Sequence, residues 1–225
     1  MPDGDKGLIV KLGALIDEAR ETVGELKDWS PVVREFAQDA FGPAVRESGL
    51  LAGDVVGIVR TPFTWFRLKC LGAILKQARK LVGDAEVQPL PTGYAVSMLD
   101  AMKDVDEPTL QGMWARLLAS SLIDRRYARP RYVQLLSGMA PVDALVFEAV
   151  LAGAGLPEMP EEEAHAAVLN LSSLSLIHHS EESPDYTGQE VPLLSNVGYI
   201  ADLFVFPSNF GQEFHRALTA CEGDS

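Results

Sequence analysis

The chain has 225 residues, 47% of them hydrophobic and 23% charged, with a formal net charge of −13; a chain of that length typically buries roughly 70% of its unfolded surface, so it builds a core without staples. Its two cysteines, Cys70 and Cys221, have no C-x-x-C spacing, which implies neither a disulfide framework nor a thiolate metal site. The opening MPDGDKGLIVKLGALIDEAR carries acids where a signal peptide needs basic residues, and no run of 18 apolar residues occurs; a cytoplasmic protein without a membrane-spanning helix is expected.

In chain order, Leu8, Leu12, Leu15, Ile16, Ala19, Val23 and Leu26 recur at three- and four-residue steps and predict an amphipathic helix. Ser30-Pro31 restarts the chain as N-cap and first helical residue, and Val32, Val33, Phe36 and Ala40 extend the apolar face until Gly42-Pro43. After a Gly-rich stretch at 49–57, Thr61-Pro62 opens a long helix. No acid lies between Asp54 and Asp84, whereas Arg60, Arg67, Lys69, Lys76, Arg79 and Lys80 supply six positive charges. At about 100° per residue, the helix at 63–82 has a basic face of Lys69, Lys76 and Lys80 with Trp65 at its margin, and an oily face of Leu68, Leu71, Leu75 and Val82.

The two prolines and Gly93 of AEVQPLPTG predict an irregular linker, followed by a short helix over 94–102. Asp106-Glu107-Pro108 starts the clearest helix, since acids suit the positive end and Pro108 loses no hydrogen bond there. Leu110, Met113, Trp114, Leu117, Leu118, Ser121 and Leu122 mark its apolar face. The basic loop DRRYARPRY separates it from a helix containing Val133, Leu135 and Leu136.

From Pro141 a small unit is expected: helix PVDALVFEAVLA ending at Gly153 and Gly155; helix EEEAHAAVLNLSSLSLI after Pro160; a polar, flexible span at 178–189; VGYIADLFVF as β; and a last helical turn or two over 214–221. This order suggests a winged-helix-like module. The charge divides at the same place. Residues 1–90 hold 12 basic and 13 acidic side chains, residues 91–140 hold 6 and 5, and residues 141–225 hold 1 and 14, with Arg216 the only cation. Such asymmetry reports a change of domain or partner. The expected fold class is mainly α: N-terminal amphipathic helices (1–60), a helical core region (61–140) forming the bundle, and an acidic winged-helix-like α+β module (141–225).

Several stretches resemble the Abi-alpha family, a bacterial domain family named for abortive infection. The matching residues are TLQGMWARLLASSL (109–122); Pro130, Tyr132, Val133 and Leu135; Met139-Ala140-Pro141 with Asp143-Ala144; Leu171, Leu174, Leu176 and Ile177; and Pro207-Ser208-x-x-Gly211-x-x-Phe214, with Cys221 near the end. The resemblance covers roughly 60–221 and implies a role in phage defence without supplying a mechanism. The first 60 residues carry no match.

No catalytic, cofactor or metal site is expected. His165, His178, His179 and His215 all lie in the acidic third, none at the i, i+4 spacing of a helical metal pair. The Arg-x4–6-His arrangement of many abortive-infection ribonucleases is absent, as are P-loop and G-x-S-x-G patterns. DNA binding by 141–225 is disfavoured, because a net charge of −13 repels the phosphates that supply most non-specific affinity. Glu161, Glu162 and Glu163 instead suit a protein-contact or autoinhibitory surface, engaging a basic partner, another copy or the chain's own basic helix. Arg125, Arg126, Arg129 and Arg131, interleaved with Tyr127 and Tyr132, suit phosphate or single-stranded nucleic acid, or form a solvated loop paired with nearby acids. The basic helix suits either an anionic membrane surface at the inner face or a bundle with its lysines in water. The resulting expectation is a non-enzymatic interaction or regulatory component of phage defence. A membrane-acting effector using 63–82 is the alternative, and a hydrolase or nuclease with an unrecognised site the second.

Overall fold

The computed structural model describes residues 35–37, 39–41, 62–153, 158–180, 198–200 and 203–221. The expected helix through 8–26, the helix start at Ser30-Pro31 and the Gly-rich stretch at 49–57 lie outside the described residues. The protein is mainly helical, with a small antiparallel sheet near its C-terminus.

Helix α1 (Pro62–Val82) buries Cys70, Ile74, Leu75, Ala78 and Val82 and packs chiefly on α3. Arg79 and Lys80 in its last turn suit the negative end of the helix dipole. Residues 35–37 and 39–41 are helical, and Phe36, Ala37, Ala40 and Phe41 join the same core. The segment after α1 has the irregular backbone its prolines predict, yet it is tied down. The Gln88 N–H donates to the Leu122 carbonyl at 2.9 Å, the Leu90 N–H donates to the Ala40 carbonyl at 3.0 Å, and Leu90 is buried. These bonds give the backbone groups partners that a strand or helix would otherwise supply.

Helix α2 (Thr92–Met102) buries Tyr94, Ala95, Met98 and Met102. Helix α3 (Pro108–Ile123) starts where the acids and Pro108 predict, with the Glu107 carboxylate accepting the Leu110 N–H at 2.8 Å. All seven expected face residues are buried, and so are Ala115, Ala119 and Ser120. The helix is therefore enclosed nearly all round. Small residues make that closeness feasible, and the periodicity of large apolar residues did not register them. A 3-10 turn at Arg125–Tyr127 leads to α4 (Pro130–Ser137), which buries Tyr132, Val133, Leu135 and Leu136.

Helix α5 (Pro141–Ala152) ends at Gly153 with φ +59°, a left-handed conformation that glycine adopts without a Cβ penalty. The Met139-Ala140-Pro141-x-Asp143 run is its start. The Asp143 carboxylate, only 3% exposed, accepts the Ala140 N–H and the Asn170 side-chain amide, each at 2.6 Å. One acid thus caps α5 and ties it to α6 (Glu161–Ser173).

Helix α6 stops earlier than the expected continuation to Ile177. Ser175 takes φ 62°, the Leu176 N–H reaches back to the Leu171 carbonyl at 3.0 Å and the Ser175 N–H to Ser172 at 2.9 Å. This is a Schellman termination in which the fully buried Leu171 and Leu176 supply the hydrophobic contact. The chain then enters β1 (Ile177–Ser180), so His178 and His179 stand in a strand and not in a flexible span. The expected β segment at 197–206 covers two strands, β2 (Gly198–Ile200) and β3 (Leu203–Pro207). Sheet order is β1-β3-β2, all antiparallel, with Ile177 opposite Pro207 and Ile200 opposite Leu203.

The closing helix α7 (Asn209–Thr219) is three turns long and starts before the expected 214. Its cap explains both its start and the Pro-Ser-x-x-Gly-x-x-Phe pattern. The Ser208 hydroxyl accepts the Gly211 N–H at 2.8 Å and donates to the Ser175 carbonyl at 2.6 Å, while the Ser208 N–H donates to the Leu176 carbonyl at 3.0 Å. A Cβ at Gly211 would overlap the Leu176 carbonyl oxygen, so only glycine lets α7 sit there. Phe214 then enters the core between Tyr132 and Phe147, with ring centroids 5.3 and 5.8 Å away. One hydrophobic cluster runs from Phe36 to Leu218, across Pro141.

Gly211→Ala reverses the usual helix rule. In an open helix the change stabilises by up to about 1 kcal/mol, whereas here it is expected to destabilise by about 1–3 kcal/mol through overpacking, read as a lower denaturant midpoint. A second expectation concerns alkaline pH. Burial pushes the Tyr94 phenol up from 10 to about 12, its hydrogen bond with Ser121 at 3.1 Å opposing the shift. The folded state therefore disfavours the phenolate: stability from this group is complete below pH 10 and falls between pH 10 and about 12, by about 1.4 kcal/mol per pH unit. Tyr94→Phe should flatten that slope in urea titrations, leaving the share of Tyr132, which burial also pushes up.

Candidate functional site

Glu161, Glu162 and Glu163 form the first turn of α6, where negative charge is favourable against the helix dipole. All three are exposed, and none forms an ion pair with a described residue. The inner side of α6 buries Ala164, Ala167, Val168 and Leu171. Its outer side carries Glu162, Ala166, Leu169 and Ser173, all exposed, at steps of four, three and four. Leu169 is 47% exposed, and Leu145 on the neighbouring α5 is 37% exposed. The acidic turn is thus continuous with apolar surface, a feature the sequence reading missed because leucine in an amphipathic helix defaults to the core.

On α1, Lys69, Lys76 and Lys80 are exposed as expected, while Ile74 and Ala78 join Leu75 and Val82 on the buried side. Leu71 is half-buried against the core. Trp65 and Leu68 fall within α1, but their side chains lie outside the described residues. Arg67 and Arg79 are engaged locally: Arg67 binds both oxygens of Asp104 at 2.6 and 3.1 Å, and Arg79 reaches the Gly83 carbonyl and lies 6.0 Å from the Phe36 ring centre.

The four loop arginines are each held by a protein group. Arg125 donates to the Pro89 carbonyl at 3.0 Å. Arg126 pairs with Asp124 at 2.6 Å, and the Arg126 side chain and N–H together hold the Asp124 carboxyl below its usual range. Arg129 donates to the Arg126 carbonyl at 3.1 Å, pairs with Glu213 of α7 and lies 5.6 Å from the Tyr132 ring centre. Arg131 lies 3.9 Å from the Phe210 ring centre, a close cation–π contact. The loop fastens α4 to the closing helix.

An open groove of about 340 Å³ lies between the Glu35, Phe36 and Asp39 side chains and the end of α1, with Glu35, Asp39 and Asp84 around Phe36, Val82 and Val87, beside Arg79. Among the described residues no group of three His, Cys, Asp or Glu side chains is placed to hold a metal ion. His165 is exposed on α6, and His178 packs on Phe206 with ring centres 5.5 Å apart. Trp114 Nε1 and Ser120 Oγ on α3 are buried with no hydrogen-bond partner among the described residues. Arg116, on the same helix, pairs with Glu148 of α5. The structure thus brings an acidic-apolar face together on α6, a lysine row on α1 and an arginine clasp beside α7.

Residues 69–159 match the family model described as abortive infection alpha. The match spans α1 from Lys69 through α5, and so contains the lysine row, the arginine turn and the whole of α3. Neither a curated protein nor a solved structure matches the chain.

The Arg129–Glu213 pair is about half exposed on both sides (50% and 46%). A double-mutant cycle with Arg129→Ala and Glu213→Ala should therefore give a coupling below about 1 kcal/mol that shrinks with added salt. A larger, salt-insensitive coupling would contradict this account of the clasp.

Proposed function

Because residues 69–159 match the abortive infection alpha family, we propose that the protein is a non-enzymatic interaction or regulatory component of bacterial phage defence, acting in the cytoplasm through protein–protein contacts. The observation that carries the reading is the exposed turn Glu161–Glu163 running into Ala166 and Leu169. Protein-binding surfaces combine an apolar centre with a polar rim, and this face has both. The same acids disfavour nucleic acid, since residues 141–225 hold 14 acids and one base and binding to a polyanion requires cations at the phosphates.

The alternative, action at the inner membrane face, draws on the exposed lysines of α1. It faces a physical cost. Ile74, Leu75, Ala78 and Val82, the apolar side that would enter the headgroup layer, are buried within the protein, so α1 would have to leave α3 first. No single described helix is long and apolar enough to cross a membrane.

The test is phage challenge of cells expressing the full chain with Glu161→Gln, Glu162→Gln and Glu163→Gln. Glutamine keeps size and helix propensity, so the fold is expected to survive, as a thermal melt verifies. Protection should drop about tenfold or more, as for a contact weakened by about 1.4 kcal/mol. Full protection by a well-folded triple variant refutes the reading.

A further inference from the structure

We propose that the partner of the acidic face is a second copy of this chain, the lysine row of α1 in one molecule docking on the outer stripe of α6 in the next. The inference rests on the protein-contact reading above and names its partner. Three observations carry it. First, the two surfaces are opposite in charge and both exposed: Lys76 and Lys80 on α1, Glu161, Glu162 and Glu163 on α6. Second, they belong to different parts of the fold, α1 packing on α2 and α3 and α6 on α5, β1 and β2, and no ion pair joins Lys76 or Lys80 to the three glutamates.

Third, the stripe is not only acidic. From Glu162 to Leu169 is about 10 Å along a helix, and from Lys76 to Lys80 about 6 Å. An ammonium group set on the glutamate turn can therefore lay its methylene stem toward Ala166 and Leu169, as lysines do on apolar surface. That accounts for a half-exposed leucine beside three carboxylates. The two patches differ, so each molecule offers one donor surface and one acceptor surface, and the contact either closes reciprocally in a two-fold dimer or runs head-to-tail in a ring or chain. Opposite charges at an exposed rim also make it dependent on ionic strength.

The experiment is sedimentation velocity on the full chain over a range of concentrations, at low ionic strength and in 1 M salt, where screening reduces the Debye length to about 3 Å. The wild type should associate at low salt and become monomeric at high salt. Two reversed variants, K76E/K80E and E161K/E162K/E163K, should each associate at least about tenfold more weakly alone, because each then carries like charge on both surfaces. Their equimolar mixture should regain association. Neutral K76Q/K80Q serves if a reversal fails to fold, with the same expected weakening. A wild type that stays monomeric at low salt, association unaffected by either charge set, or a mixture that stays monomeric overturns the proposal. Loss of phage protection by the triple glutamine variant of a strictly monomeric protein would retain the protein-contact reading while discarding self-association.

Discussion

Most of the described helices are arranged around α3, which is enclosed nearly all round. Each flank of α3 meets a different neighbour: Gly112 faces Gln77 of α1, Ser121 meets Tyr94 of α2, Arg116 pairs with Glu148 of α5, and the Arg116 carbonyl lies 3.9 Å from the Cys221 sulfur beyond α7. Large residues at Leu110, Met113, Trp114, Leu117 and Leu118 fill the spaces between helices, and Ala115, Ala119 and Ser120 allow close approach. A core wrapped around one helix gives each helix packed on it a buried inner side and leaves its outer side in solvent. The lysines of α1 are an outer side of that kind, and the glutamates of α6 lie one layer further out, where α6 packs on α5 and the sheet.

The C-terminal elements are attached by backbone geometry as much as by apolar burial. The Schellman turn at Ser175 turns the chain out of α6 and leaves the carbonyls of Ser175 and Leu176 facing Ser208, which takes both. Gly211 then permits α7 to lie against that turn, and Phe214 reaches Tyr132 and Phe147. The arginine turn completes the attachment from the other direction through Arg129 to Glu213 and Arg131 to Phe210. A segment dense in negative charge is thereby held to the rest of the molecule partly by the cations that the acidic third lacks.

Helix α3, its start at Pro108, the stop of α5 at Gly153 and the exposure of the α1 lysines were legible because each rests on a local signal: a period, a cap or a glycine. The early stop of α6 was not, since Ser175 has no propensity that announces φ 62°; the left-handed turn leads directly into the pairing of Ile177 with Pro207, thirty residues away. The start of α7 before 214 was not legible either, because it depends on the missing Cβ of Gly211, which lets the helix lie against Leu176. The charge partition could be counted directly, but which cations would be engaged could not, because the acid facing Arg129 is Glu213, 84 residues on. The outward aim of Leu169 was hidden for the same reason, since burial of one stripe on α6 depends on where α5 and the sheet lie.

Those engaged cations bear on function. The loop arginines had the composition of a phosphate-binding patch, and Arg129, which pairs with Glu213, must give up that contact to bind a phosphate. Exchange of one partner for another yields only the difference between the two, so a phosphate on Arg129 would cost the pair that ties the turn to α7. Lys76 and Lys80 carry no such cost, nor do Glu161 through Glu163, whose local reason for being acidic is satisfied by the helix terminus whether or not a cation arrives. Surface charge that stays accessible after the fold has met its own needs is the part of the charge inventory available for recognition. In this protein that accessible charge is of both signs, on separate helices: lysines on α1 and glutamates on α6.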